Sequence, residues 1–111
     1  MIATPHFPND ANGQVLKRMY DGGDDLTEAR VVDFCFVFPD RRAALRFLES
    51  VDDPTVEVCL SWERALWEVT VKSYIVPEHG TITTIESTLT VKAERVGGIP
   101  DGWGCMTIPK E

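Results

Sequence analysis

The sequence has few basic residues and no long apolar run. Eleven Lys and Arg stand against 18 Asp and Glu, so the 111-residue chain has a formal charge of -7. Because binding to a polyanion requires clustered cations that displace counterions, we expect no direct binding to nucleic acid or to an anionic membrane. No apolar run approaches the roughly 20 residues that span a bilayer, and no basic segment followed by an apolar one opens the chain. A cytoplasmic protein is predicted.

Cysteine and histidine are also scarce. The three cysteines, Cys35, Cys59 and Cys105, are odd in number and form no Cys-x-x-Cys pair, so neither a disulfide framework nor a metal site is predicted. A nucleophile paired with a histidine would have to use His6 or His79. A pair formed by His79 and Cys105 is conceivable, but no other feature of the sequence supports it. We therefore predict a protein without catalytic residues, cofactor or metal.

The densest apolar run, residues 31–38, predicts the central strand of a single sheet. Its alternation places three aromatic rings on one face, which therefore needs a covering layer. Pro39 ends the strand because it has no N–H, and Asp40 can cap a helix over residues 40–51. The aromatic face is formed by Phe34, Phe36 and Phe38.

Hydrophobic periodicity predicts five further elements. These are a helix at 10–21, strands at 55–61 and 66–74 joined as a hairpin through 62–65, a helix at 77–96 and, after a loop through Pro100, a short strand at 103–108.

The order helix, then β-α-β-β-α-β, predicts an α+β sandwich of ferredoxin-like topology, with a four-stranded antiparallel sheet and an additional N-terminal helix. The two later helices would cover the phenylalanine face, and the leading helix would cover the opposite face near Cys35 and Val37. Residues 1–9 are predicted to be a flexible leader, and residues 10–111 a single domain.

The stretch Asp-Gly-Trp-Gly-Cys at residues 101–105 resembles the RraB-like family, which is described as inhibitors of ribonuclease E. The resemblance extends over residues 10–105. It implies a ferredoxin-like fold and a non-catalytic regulator of RNA decay that binds another protein, a ribonuclease E-like enzyme. Its other matching positions are Val15-Leu16, Gly23-Asp24-Asp25-Leu26, Arg30, Val32-Asp33-Phe34 and Phe38-Pro39-Asp40.

Four residues are candidates for protein binding: Asp24, Asp25, Asp101 and Trp103. Asp24 and Asp25 form an acidic pair that would attract a basic partner, although loop carboxylates are often simply solvated. A metal site is disfavoured here because no histidine or further acid lies at a ligand-like spacing. Trp103 lies between two glycines in the motif that begins at Asp101. Its indole is either buried in the core or an anchor for a partner at the surface.

Two other kinds of domain share this topology. An RNA-binding domain would need aromatic side chains on the outer face of the central strands, where the sequence places Asp33, Cys35 and Val37. A small-molecule-sensing ACT-like regulatory domain is the alternative that the sequence leaves open, because its strand and helix order is the same. Shifts in melting temperature on addition of amino acids would distinguish it from a protein-binding domain.

Overall fold

The described residues, 6–53, 55–63 and 66–110 of the computed structural model, form three helices and one sheet. The sheet is antiparallel with strand order β2-β3-β1-β4. The predicted ferredoxin-like α+β sandwich with an additional N-terminal helix is therefore confirmed. Along the chain the elements are α1 (Ala11–Asp21), β1 (Arg30–Phe38), α2 (Arg41–Ser50), β2 (Glu57–Glu63), β3 (Leu66–Ile75), α3 (His79–Glu94) and β4 (Ile99–Cys105).

The core is built on β1, which lies between β3 and β4. Its three inward phenylalanines, Phe34, Phe36 and Phe38, are at most 1% exposed. Phe47 of α2 packs on two of them, with ring centroids 5.1 Å from Phe36 and 5.2 Å from Phe38. Burying each of these rings contributes roughly 1.5–3 kcal/mol, so the covering of this face dominates the stability of the sandwich.

Helices α1 and α2 begin where the sequence predicts them, whereas α3 begins at His79 and ends at Glu94, inside the predicted range 77–96. Asp40 caps α2, because its carboxylate accepts the N–H of Ala43 at 2.8 Å. Asp10 caps α1 in the same way, through the N–H of Gly13 at 2.8 Å. Both caps satisfy N–H groups that have no partner within the helix. None of the described helices is long and apolar enough to cross a lipid bilayer.

Helix α1 lies on the same side of the sheet as α2 and α3. Leu16 is buried in the core together with the phenylalanines. Asn12 donates hydrogen bonds to Thr83 and Glu86 of α3, at 3.2 and 3.1 Å. The prediction that α1 covers the face near Cys35 and Val37 is wrong, because Leu16 of its apolar stripe is buried in the aromatic core and Met19 packs against that core.

Residues 1–9 are the segment predicted to be a flexible leader. Residues 1–5 lie outside the described residues. Phe7 packs against the core, and its ring centroid lies 5.8 Å from that of Tyr20. The part of residues 1–9 that is described is therefore in contact with the folded domain.

Strands β2 and β3 form the predicted hairpin and extend closer to its turn than expected. The sequence pattern places Trp62 in the connection, but Trp62 belongs to β2 and pairs with Trp67 of β3. Their ring centroids are 5.0 Å apart, and a cross-strand aromatic pair of this kind stabilises the ladder. Residues 64–65 of the predicted connection lie outside the described residues.

Strand β4 begins earlier than predicted, at Ile99, and ends at Cys105. Pro100 is tolerated within it because β4 is an edge strand, where one missing donor breaks no interior ladder. The register against β1 shifts between Phe34 and Phe36, which marks a β-bulge. Gly102 lies in this bulge with φ of 89°, a conformation that favours glycine.

Candidate functional site

The face of the sheet opposite the helices carries mainly polar side chains. We call it the open face. It is formed by the alternate residues 31–37 of β1 and 68–74 of β3, with their outward neighbours on β2 and β4. No described helix covers it, since α1, α2 and α3 all contribute to the core on the other side.

One ion pair crosses the open face. Lys72 of β3 contacts both carboxylate oxygens of Asp33 of β1, at 3.2 and 3.3 Å. The hydrogen bond and the charge of Asp33 raise the pKa of Lys72. Glu57 of β2 is paired in register with Lys72 from the other side, so this ammonium lies between two strands that each carry a carboxylate.

Cys35 lies near the middle of the open face, with its Sγ 3.9 Å from Oγ1 of Thr70. Burial raises the pKa of the Cys35 thiol, and the negative charges of Glu68, Asp33 and Asp101 raise it further. The thiol is therefore neutral at pH 7, and a neutral thiol is a poor nucleophile. The strand register places these carboxylates near Cys35, because Glu68 is paired with the neighbouring Val37 and Asp101 lies in the β4 bulge opposite Cys35.

Exposed apolar side chains lie on either side of these carboxylates. Tyr74 is 70% exposed and is paired in register with Val31, which is 47% exposed. Ile99 is 62% exposed and is paired with Val37. The open face therefore combines acidic groups with exposed apolar side chains at both ends.

The acidic pair Asp24 and Asp25 is divided between the core and the surface. Asp24 is 1% exposed, and both of its carboxylate oxygens accept from Nη1 of Arg30, at 2.7 and 2.9 Å. Asp25 is partly exposed, and hydrogen bonds from the hydroxyl and the N–H of Thr27 lower the pKa of its carboxyl. Asp24 thus offers almost no surface to a partner, whereas Asp25 is accessible.

The Asp24–Arg30 pair also contacts the residues that follow β4. Arg30 donates to the carbonyl of Met106 at 3.0 Å, and Asp24 forms a β-bridge with Pro109. The N–H of Lys110 donates to the carbonyl of Gly23 at 3.0 Å. The residues after β4 are therefore attached to the loop after α1.

Trp103 lies on the helix side of the sheet and is half-buried. It pairs with Phe34 and packs against the core, and its Nε1 donates to Oδ1 of Asn12 at 2.9 Å. It therefore joins β4 to α1, with part of its ring still accessible. Asp101, two residues earlier, is exposed and lies in the bulge opposite Cys35, near the open face.

The four candidate residues therefore do not form one continuous surface. Sequence reasoning also missed three residues of the open face as binding candidates: Asp33, Glu68 and Tyr74. The signal was present for Asp33, because strand alternation already places it on the outer face of β1. In the sequence this placement was interpreted only as evidence against an RNA-binding domain.

The two residues of the conceivable catalytic pair, His79 and Cys105, each lie beside another polar side chain. Nε2 of His79 lies 2.9 Å from Oδ2 of Asp10, at the beginning of α1. The N–H of Gly13 and the hydrogen bond with His79 lower the pKa of Asp10. Cys105 is close to Arg30, and burial raises the pKa of its thiol. Among the described residues, no group of three or more His, Cys, Asp or Glu is placed to hold a metal ion.

The fold and the open face define a small ferredoxin-like α+β domain with one uncovered, acidic sheet surface. The chain belongs to the RraB family: the family model described as regulator of ribonuclease activity B matches residues 9–105. The resemblance found in the sequence is thereby confirmed, and the family is one of regulators of ribonuclease activity. A search of curated proteins finds no match to this chain.

Proposed function

We propose that the protein is a non-catalytic regulator of RNA decay that acts by binding a ribonuclease E-like enzyme directly. The family match over residues 9–105 carries this proposal. The acidic open face supports it, because a surface of this charge repels RNA and favours regulation through contact with the enzyme. No cofactor takes part, and the complex is proposed to form in the cytoplasm.

The proposed contact residues are Asp25, Asp101 and Trp103. Asp25 and Asp101 are accessible carboxylates that attract a basic enzyme surface, and tryptophan is enriched among residues that dominate binding energy. Asp24 takes part indirectly: its pairing with Arg30 holds the loop that carries Asp25.

The test combines binding and cleavage measurements with the purified ribonuclease E-like enzyme from the same host. We expect the protein to bind the enzyme, to change its rate of RNA cleavage, and to bind less tightly as salt screens the acidic surface. Asp25→Lys combined with Asp101→Lys should weaken binding. Glu49→Lys combined with Glu94→Lys is the matched control, because it makes the same charge change at exposed helix positions.

Failure of the unmodified protein to bind the enzyme or to alter cleavage would overturn the proposal. Free amino acids are added in a parallel thermal melt. An amino-acid-dependent rise in Tm without enzyme binding would show that the chain is a small-molecule sensor of the ACT type instead.

A further inference from the structure

We infer that the open face of the sheet is the docking surface for an arginine- or lysine-rich segment of a protein partner, with Tyr74 as its apolar anchor. The identity of that partner rests on the proposed function, because the family match points to a ribonuclease. The chemistry of the segment rests only on the residues of the face.

The open face is both rigid and uncovered. Its two central strands, β1 and β3, are hydrogen-bonded to neighbours on both sides. All three described helices lie on the other side of the sheet, where they cover the phenylalanines. Tyr74 nevertheless remains 70% exposed on a regular strand. A tyrosine side chain has few rotatable bonds, so on a fixed strand it loses little conformational freedom on binding.

The open face is also acidic. Its described residues include four carboxylates and one ammonium, which leaves a net charge of -3. Lys72 contacts Asp33. The register places Glu68 opposite Val37 and Asp101 in the bulge opposite Cys35, so further carboxylates lie near the middle of the face. A segment with several cations complements this net charge, and an apolar residue in the same segment can contact Tyr74 and Val31. The four carboxylates are Asp33, Glu57, Glu68 and Asp101.

The same charge argues against the other possible occupants. A second copy of this chain would bring two acidic faces together, and RNA would bring its phosphates against carboxylates. Charge complementarity therefore selects a basic partner.

The size of the face favours a segment over a large globular surface. Strands about 4.8 Å apart and about seven residues long, at about 3.3 Å per residue, give an area of roughly 450 Å². A standard stable interface buries about 800 Å² on each partner. An extended segment bound reversibly and weakened by salt fits this area.

The experiment uses the full chain and a short arginine-rich synthetic peptide that contains leucine. A peptide in which glutamate replaces every arginine is the control ligand. Binding is measured by calorimetry, and the site is mapped by amide chemical shifts in NMR. We expect the arginine peptide alone to bind and to shift signals of β1 and β3 rather than those of α2 and α3.

Charge reversal then tests the assignment. Glu68→Lys combined with Asp101→Lys should raise the Kd of the arginine peptide about tenfold. Glu49→Lys combined with Glu94→Lys makes the same total charge change on the helix side and should raise it less than about twofold. Tyr74→Ala should raise the Kd about fivefold, because it removes the apolar anchor.

Because Glu68 and Asp101 have other interactions in the fold, Glu68→Gln combined with Asp101→Asn is a second variant that keeps their hydrogen-bonding capacity. It should retain the Tm of the unmodified protein and still weaken peptide binding about threefold. Normal peptide affinity in this folded variant would overturn the inference.

Other outcomes also overturn it. These are equal weakening by both charge-reversal pairs, chemical shifts confined to α2 and α3, tighter binding of an RNA oligonucleotide than of the peptide, and self-association through the open face.

The peptide experiment and the enzyme experiment test the docking surface and the proposed function independently. If the peptide binds the open face but no ribonuclease binds, the proposed function fails and the docking surface stands. If a ribonuclease binds equally well to the protein with and without Glu68→Lys and Asp101→Lys, the docking surface fails and the proposed function stands.

Discussion

The guanidinium of Arg30 contacts both carboxylate oxygens of Asp24 in a site where the two side chains are only 5% and 1% exposed. Arg30 also donates to the carbonyls of Asp25 and Met106, at 2.7 and 3.0 Å. Its charge is therefore satisfied by groups from before β1 and after β4. A buried ion pair of this kind is costly to break, because removing one partner leaves the other charge without compensation.

Asp24→Ala should reduce the free energy of unfolding by about 3–5 kcal/mol, because it leaves the Arg30 charge buried and unpaired. Asp21→Ala is the control: Asp21 pairs with Lys17 at 2.8 Å on the exposed surface of α1. Loss of an exposed pair of this kind should change stability by no more than about 1 kcal/mol. Urea unfolding measures both variants, and equal effects would contradict the structural role of Asp24.

Trp103→Phe should cost about 1 kcal/mol, because the ring still packs but the hydrogen bond to Asn12 is lost. Trp103→Ala should cost about 2–4 kcal/mol, since it also leaves a cavity against the core. The matched control is Trp62→Phe at an exposed position, with an expected change within about 0.5 kcal/mol. Thermal unfolding distinguishes these values. A stable Trp103→Ala variant that no longer binds the ribonuclease would show that the indole acts as a surface anchor only.

Gly102→Ala and Gly104→Ala separate backbone conformation from steric space in β4. A Cβ at either position meets no atom within 4 Å, but only Gly102 has a positive φ, of 89°. Alanine at position 102 should therefore cost about 1–2 kcal/mol, the penalty of a left-handed conformation. Alanine at position 104 should change stability by less than about 0.5 kcal/mol. Similar losses of unfolding free energy for the two variants in chemical denaturation would show that the backbone conformation of the bulge does not require glycine at position 102.

Acid should destabilise the protein through three solvent-accessible carboxyls. Hydrogen bonds lower the pKa of each below its ordinary value of 3.8: from Gly13 and then His79 to Asp10, from Thr27 to Asp25, and from Thr55 to Asp53. Since the folded state binds these protons less readily, the stabilisation is complete above about pH 4 and is lost as the pH falls through the lowered values. The carboxyls concerned are Asp10, Asp25 and Asp53.

Melting temperatures between about pH 6 and about pH 2 measure this loss. Combined Asp→Asn substitutions at the three positions keep the acceptor oxygen but remove the titration, so the variant should lose less stability over this interval. An unchanged pH dependence would show that other groups govern acid unfolding.

Much of the fold is predictable because local rules and burial agree. The β1 alternation places its phenylalanines inward without any knowledge of the rest of the chain, and Asp40 caps α2 directly after Pro39. The beginning of β4 was missed because Pro100 normally signals a loop, and only its edge position makes it acceptable. Trp62 was missed because its partner, Trp67, lies on the other strand of the hairpin.

The candidate site was less predictable. Asp24 and Asp25 look equivalent in the sequence, but only the carboxylate of Asp24 pairs with the buried Arg30, which also donates to Met106, 76 positions away. Asp101 reaches the neighbourhood of Cys35 only because a bulge shifts the register of β4 against β1. Neither effect has a local signature.

The sequence alone determines three features of this protein. These are one aromatic sheet face, an order of elements that suits a four-stranded sandwich, and a net charge that disfavours binding to nucleic acid. These follow from period, composition and capping, which act over a few residues. Only the tertiary structure decided that α1 joins the aromatic core and leaves the other face uncovered. It also decided which carboxylates meet around Cys35. The physical reason is that both depend on packing and strand register between segments far apart in the chain.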